Sequence, residues 1–221
     1  MMNEIYLYHH LGLGDHISCH GIVRSYCEHF DKVYLFVKES NYKNVSYMFN
    51  DIENISFLIG DDEFAQNYLI DNKIHNMKII GFNLSNYENL EVQFYKMAGL
   101  SIDCKWSKFH INRDMEKEKE IFNLYGLEEG NYIFLHKGDY DIKSEYLESG
   151  LKIVEPKEHG LFDWMYVIEN AKEIHCIDSS FICLIDCMDL KDDIKLYNHR
   201  YVRDYPEWVK LYTNKKWIEI K

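Results

Sequence analysis

Short apolar runs rich in Ile, Val, Tyr and Phe recur along the chain, with segments of helical character between them. Strands covered on both faces by crossover helices read as near-continuous hydrophobic runs, so this alternation points to an α/β fold with parallel sheets. Strands are predicted at 4–10 (EIYLYHH), 32–38 (KVYLFVK), 55–59 (ISFLI) and 77–82 (MKIIGF), and again at 131–138, 151–156, 173–178 and 194–198. A first helix is expected from about Asp15 to Phe30, where Cys19, Val23, Tyr26, Cys27 and Phe30 recur at three- and four-residue spacings and give one buried stripe. Gly21 would let that helix approach the strand closely. Further helices are expected to end near Gly99 and to cover 161–171 and 179–189.

The charged run at 112–130 (NRDMEKEKEIFNLYGLEEG) reads as a solvated helix with i,i+4 pairs, and it marks the best domain boundary. Two small Rossmann-like, doubly wound lobes are therefore expected, 1–112 and 113–221, with a ligand cleft between them. A chain of 221 residues has the length for two such lobes.

Charge and cysteine usage exclude several classes. A net charge of −12 repels polyanions, and no basic block overrides it, the nearest being Lys215 and Lys216 in what reads as a solvated loop. Nucleic acid is thus not an expected partner. Cys19, Cys27, Cys104, Cys176, Cys183 and Cys187 form no paired motif and suit reduced, buried thiols in a cytoplasmic protein. No apolar stretch of ~18 residues occurs, so no membrane span is expected.

The stretch YLYHHLGLGDHISCHG, 6–21, breaks a strand at Gly12 and Gly14 and places Asp15 and His16 at the start of a helix. A dinucleotide turn needs a third glycine where Ile17 stands, although Glu39 does lie where a ribose-binding acid would. A P-loop would need a closing GK[ST], which is missing. His16 and His20 lie one helical turn apart, with His9, His10 and Asp15 near in sequence, but no third fixed metal ligand is evident. The remaining reading has the glycines bring backbone close to a ligand while Asp15 acts as general base, against the plain alternative that Asp15 caps its helix.

In the second half, a strand ends in His136 and Lys137, and another ends in Asp178 just before Ser179 and Ser180. Two hydroxyls at a helix N-terminus would cradle a diphosphate, with Lys137 as a mobile point charge, while Ser179 as a simple N-cap is the alternative. Arg200 and Arg203 could approach a phosphate, though pairing with Asp204 and Glu207 is the ordinary reading. Trp164 and Trp208 could stack on a sugar or nucleobase, though core packing is the ordinary expectation.

HKGDY, 136–140, resembles the H-x-R-R-G-D-Y segment, and IDSSFICLID, 177–186, resembles the N-S-S-F-S-x-W segment, of fucosyltransferases with the two-lobed GT-B fold. GLGDHI, 12–17, is similar to the glycine and aspartate turn that opens other GT-B enzymes such as the lipopolysaccharide heptosyltransferases. The resemblance implies an enzyme that moves a sugar from a nucleotide-diphosphate donor to a carbohydrate or other hydroxyl acceptor, without metal or organic cofactor. It places Ser179, Ser180 and Lys137 on the diphosphate and Glu155, Phe162 and Asp163 around the nucleoside. Gly12, Gly14, His136 and Asp178 complete the implied donor set, and Asp15 or His16 faces the acceptor. Lys137 stands where the fucosyltransferases carry two arginines and Asp178 where they carry Asn. A lysine cannot reproduce the planar guanidinium fork, which leaves GDP-fucose specificity unsupported. A non-catalytic nucleotide- or sugar-binding protein of the same fold is the alternative, and a nicotinamide-dependent oxidoreductase a third.

Overall fold

The computed structural model of the protein describes residues 3–84, 89–147, 150–203 and 212–221. The chain divides into two compact units, one running to Asn112 and the other starting at Arg113, with Tyr212 returning to the first unit and Thr213 resuming the second.

In the first unit, strands β1 (Glu4–Tyr8), β2 (Lys32–Val37), β3 (Ile55–Ile59) and β4 (Met77–Ile79) form an all-parallel sheet in the order β3-β2-β1-β4. Helices α1 (Leu13–Ser18), α2 (His20–Cys27), α3 (Glu39–Met48) and α4 (Asp62–Asp71) connect the strands, and α5 (Leu90–Met97) and α6 (Cys104–Ser107) follow them. β1 is central and nearly wholly buried, with Leu7 and Tyr8 enclosed from both sides. Its Tyr6 ring stacks on Tyr34 of β2 at 4.5 Å. Asp61 starts α4 by accepting the Phe64 amide at 2.9 Å, the N-cap contact expected of an aspartate there.

The second unit opens with α7 (Met115–Leu124), whose N-cap Asp114 accepts the Lys117 amide at 3.1 Å. Its strands β5 (Tyr132–His136), β6 (Lys152–Val154), β7 (Glu173–Cys176), β8 (Lys195–His199) and β9 (Trp217–Ile220) form a parallel sheet in the order β6-β5-β7-β8-β9. Helix α8 (Met165–Glu169), preceded by a 3-10 turn at Leu161–Trp164, leads into β7, and α9 (Ser180–Cys187) links β7 to β8. Both units are thus Rossmann-like parallel sheets flanked by helices, the α/β class that the alternation predicts. Among the described residues no helix is long and apolar enough to cross a membrane.

Some local expectations change. The helix expected from Asp15 to Phe30 is broken at Cys19, where the His20 ring donates from Nδ1 to the Ile17 carbonyl at 2.5 Å and satisfies an acceptor that the break leaves open. Gly21 makes its close approach to α6, not to a strand: a Cβ there would lie 2.2 Å from the Cys104 carbonyl oxygen. The solvated helix at 112–130 hides one carboxylate, because Glu118 is fully buried and held by Arg113. Trp164 is core, whereas Trp208, Asp204 and Glu207 lie outside the described residues.

Candidate functional site

In doubly wound sheets, ligands bind beyond the carboxyl ends of the strands, where the strand order reverses. The order β3-β2-β1-β4 puts that point between β1 and β4, and β6-β5-β7-β8-β9 puts it between β5 and β7.

At the first point, the Ile80 amide bonds to Tyr8 O at 2.8 Å, and His10 Nε2 donates to Gly81 O at 2.9 Å, joining the two strand ends. Gly81 has φ +88°, and a Cβ on it would press within 2.7 Å of the His10 ring. Gly12 is the N-cap of α1 and makes no side-chain cap, and Gly14 lies half-buried in the first turn. Asp15 is therefore the third helical residue, not the cap. Its carboxylate folds back over the turn, so that a Cβ on Gly12 would sit 2.5 Å from Asp15 Oδ2. Burial pushes the Asp15 carboxyl up to about 6; His10 and Lys38 pull it down, and the Glu91 carboxylate pushes with the burial.

His16 faces inward. It is fully buried, its ring lies 4.5 Å from that of His9, and neither ring nitrogen has a hydrogen-bond partner. Burial, aided by His9, holds it well below the usual imidazole range and hence neutral. His9 is likewise pushed down to about 4 and His20 to about 3, both chiefly by burial. Among the described residues no group of three or more His, Cys, Asp or Glu side chains is placed to hold a metal ion. A polar hollow of about 690 Å³ in the same unit lies on the amino side of the sheet, away from Asp15. Its cations are already engaged, Arg24 by Asp51 and Lys108 by Glu28.

At the second point, Ser179 occupies the N-cap position of α9, yet its hydroxyl makes no cap bond. Instead Ser179 Oγ lies 3.0 Å from His136 Nδ1, at the end of β5. The His136 ring packs on Phe181 with centroids 4.5 Å apart, and burial pushes it down to about 4. Ser180 begins the helix beside it. Lys137 and Glu155 meet at 3.7 Å. Asp178 accepts from Asn198 Nδ2 at 2.9 Å and lies 3.6 Å from Arg200, while Arg203 donates to its carbonyl. His136, Asp178, Ser179 and Ser180 are thus gathered at the switch point of the second unit, with Lys137 and Glu155 at the neighbouring strand ends. Phe162 and Asp163 are not. Phe162 is buried in the core, and buried Asp163 accepts the Gly160 amide at 2.8 Å and pairs with Lys117 at 2.7 Å.

Two groups escape sequence reasoning. Glu91 lies on the buried stripe of α5 with Phe94 and Tyr95, and a carboxylate at such a position is itself a signal of a buried partner. A chain of hydrogen bonds runs from Glu173 through His175 to His199: His175 Nε2 to Glu173 Oε2 at 3.4 Å, and His175 Nδ1 to His199 Nε2 at 2.8 Å. Period-two spacing puts Glu173 and His175 on one sheet face, a pattern visible only once the strand is fixed.

No protein-family model matches the sequence, and no curated protein matches it. In fold the chain is similar to a glycosyltransferase family 9 protein from Veillonella parvula, with a TM-score of 0.58 and 9% identity over 99% of this chain and 87% of that one. The class defined here is therefore an α/β protein of two Rossmann-like units. The solved neighbour places that class within a fold used by glycosyltransferases.

Proposed function

We propose that the protein transfers a sugar from a nucleotide-diphosphate donor to a hydroxyl acceptor, with Asp15 as the general base. The observation that carries this reading is Asp15 itself, a carboxylate at the carboxyl end of β1, given room by Gly12 and pushed up to about 6 by burial. A base of that strength still ionises at neutral pH and accepts a proton more readily than an ordinary aspartate. His16 is set aside because its ring is enclosed with both nitrogens buried, and burial leaves it a weaker base than an ordinary imidazole. In the second unit the free amides at the start of α9, the hydroxyls of Ser179 and Ser180, and Lys137 take the diphosphate and stabilise the charge that builds on it as the glycosidic bond breaks. Asp178 orders Arg200 and Arg203 beside this helix start. The fold shared with a family 9 glycosyltransferase supports the same reading.

A thermal-shift panel of UDP, GDP, CDP and ADP sugars identifies the donor, because selective binding stabilises the folded state by mass action. With that donor, Ser180→Ala combined with Lys137→Ala is expected to weaken nucleotide-diphosphate binding at least tenfold by calorimetry. Unchanged affinity places the phosphate elsewhere. Nucleotide release that depends on added acceptor separates a transferase from a protein that merely binds the donor.

A further inference from the structure

A second hollow in the first unit, of about 400 Å³, opens between α4 and the edge strand β4. Ala65 and Leu69 of α4 form one buried cluster with Tyr6 and Tyr8 of β1. In the parallel register Tyr8 stands beside Ile79 and Tyr6 beside Met77, so these four side chains share one face of the sheet. The β1 pair is covered and the β4 pair is not. Met77 and Ile79 stay 39% and 40% exposed, and with Ile74 and the protruding Ile70 they give the hollow an apolar wall. The basic groups that line it are Lys73 and His75, and no carboxylate does. Among the described residues neither basic side chain has a hydrogen-bond or ion-pair partner. In a chain with a net charge of −12, an apolar hollow bordered by basic groups alone is set apart from its surroundings and complements an anion.

Lys73 is also held in an unfavourable backbone conformation. The Lys73 amide donates to Ile70 O and the Ile74 amide to Leu69 O, each at 3.0 Å, which closes α4 in a Schellman turn and leaves Lys73 at φ +51°. Glycine is the usual residue there, because a Cβ is penalised in the left-handed region. A lysine at position 71 or 72 would serve the helix dipole equally well without that strain. We propose that this hollow binds a small amphiphilic anion, an alkyl or aryl carboxylate, with the apolar body against Met77 and Ile79 and the carboxylate on Lys73. An apolar cavity of ~150 Å³ holds benzene, so the space here takes a body of roughly ten carbons. Lysine meets the carboxylate as a mobile point charge. The occupant is a single molecule and not an anionic bilayer, because the wall is concave and the net charge of the chain repels an anionic surface. The site makes no use of Asp15 and stands whether or not the chain transfers a sugar.

The test uses decanoate below its micellar range, with affinity from calorimetry and location from the ¹³C-methyl resonance of Met77, assigned by its loss in Met77→Leu. Decanoate is expected to move the Met77 resonance and leave most other methionine methyls in place. It should bind about threefold to fivefold tighter than the neutral decanol, the range of an exposed ion pair. Lys73→Gly should erase that preference while melting about 2 °C higher without ligand, since glycine relieves the strain. Ile79→Glu, at a position exposed enough to leave the fold intact, should weaken decanoate at least tenfold. A Met77 resonance that stays still throughout the titration overturns the proposal. So does equal affinity for decanoate and decanol that Lys73→Gly leaves unchanged. Uptake onto phosphatidylglycerol vesicles in the absence of decanoate binding overturns it too, and makes the patch a membrane-facing surface.

Discussion

Asp15→Asn is expected to make the protein more stable while disabling it. Burial pushes the Asp15 carboxyl from its ordinary 3.8 to about 6, so the folded chain holds that proton more tightly than the unfolded chain does. For an acid shifted this way, stability falls as pH rises between the unfolded and folded values, here between about 4 and about 6, and the full penalty remains above that window. Two units at ~1.36 kcal/mol each give about 3 kcal/mol as an upper bound, and solvent reaching the half-buried carboxylate brings the working figure to about 2 kcal/mol. Asparagine keeps the shape and carries no charge at any pH. At pH 7.5 the variant should therefore melt several degrees higher, at roughly 2–4 °C per kcal/mol for a chain of this size. At pH 4, just above the unfolded value, most of that gain should be gone. Turnover with the identified donor and acceptor should drop by about 10²- to 10⁴-fold. Thermal melts at both pH values, paired with initial rates, decide the matter. A variant no more stable than wild type at pH 7.5, or one whose gain persists undiminished at pH 4, refutes the argument that a buried charge at this position is maintained at the expense of stability.

Two further substitutions probe the packing around the sites. Arg113→Ala leaves the buried Glu118 carboxylate without its bidentate partner, a loss of about 3–5 kcal/mol. Burial already raises Glu118 above its usual range, so the loss should shrink in acid as the orphaned group takes up a proton; urea melts at pH 8 and pH 5 compare the two. Gly21→Ala drives a Cβ against the Cys104 carbonyl and the Tyr95 hydroxyl, 2.2 Å and 2.8 Å away, and should destabilise by about 1–3 kcal/mol. An unchanged urea midpoint would show that α2 and α6 are not packed that closely.

The sheet cores were legible in the sequence because β-branched and aromatic runs such as ISFLI, observed at Ile55–Ile59, can hardly be anything else in this setting. Strand ends were over-read: MKIIGF gives only Met77–Ile79 as strand, since Gly81 at φ +88° turns the chain out of the ladder. β9 was missed because WIEI is a short edge strand with too little apolar alternation to stand out after Lys215 and Lys216. Asp15, Ser179 and His136 were legible as residues at strand ends, for strand-to-helix turns place chemistry there. The buried Glu91 was not, because it meets Ser18 and the Tyr212 amide across long stretches of sequence, and the break at Cys19 depends on a histidine ring replacing a backbone donor. The contacts of Asp163 were equally out of reach, since its Gly160 amide bond and its pairing with Lys117 depend on the 3-10 turn and on a helix far off in sequence.

The contact between Ser179 and His136 bears on the proposed donor site, for it decides which proton is left for a bound phosphate. For Ser179 to donate its one hydroxyl proton to a phosphate oxygen, that proton must not be spent on His136, which holds when the ring 3.0 Å away carries its proton on Nδ1 and donates to the hydroxyl oxygen. Burial holds His136 down at about 4, so at working pH the ring is neutral and acts as an orienting donor rather than as a cation. His136→Phe keeps the contact with Phe181 but removes the nitrogen. One neutral hydrogen bond is worth ~0.5–1.5 kcal/mol, so nucleotide-diphosphate affinity should fall about threefold to tenfold. In the wild-type protein that affinity, measured by calorimetry in low-salt buffers from pH 8 to pH 5.5, should show no gain beyond the titration of the ligand's own phosphate. An affinity that climbs toward pH 5.5 and loses the climb in His136→Phe would mean the ring meets the anion as imidazolium, and the orienting role would have to be abandoned.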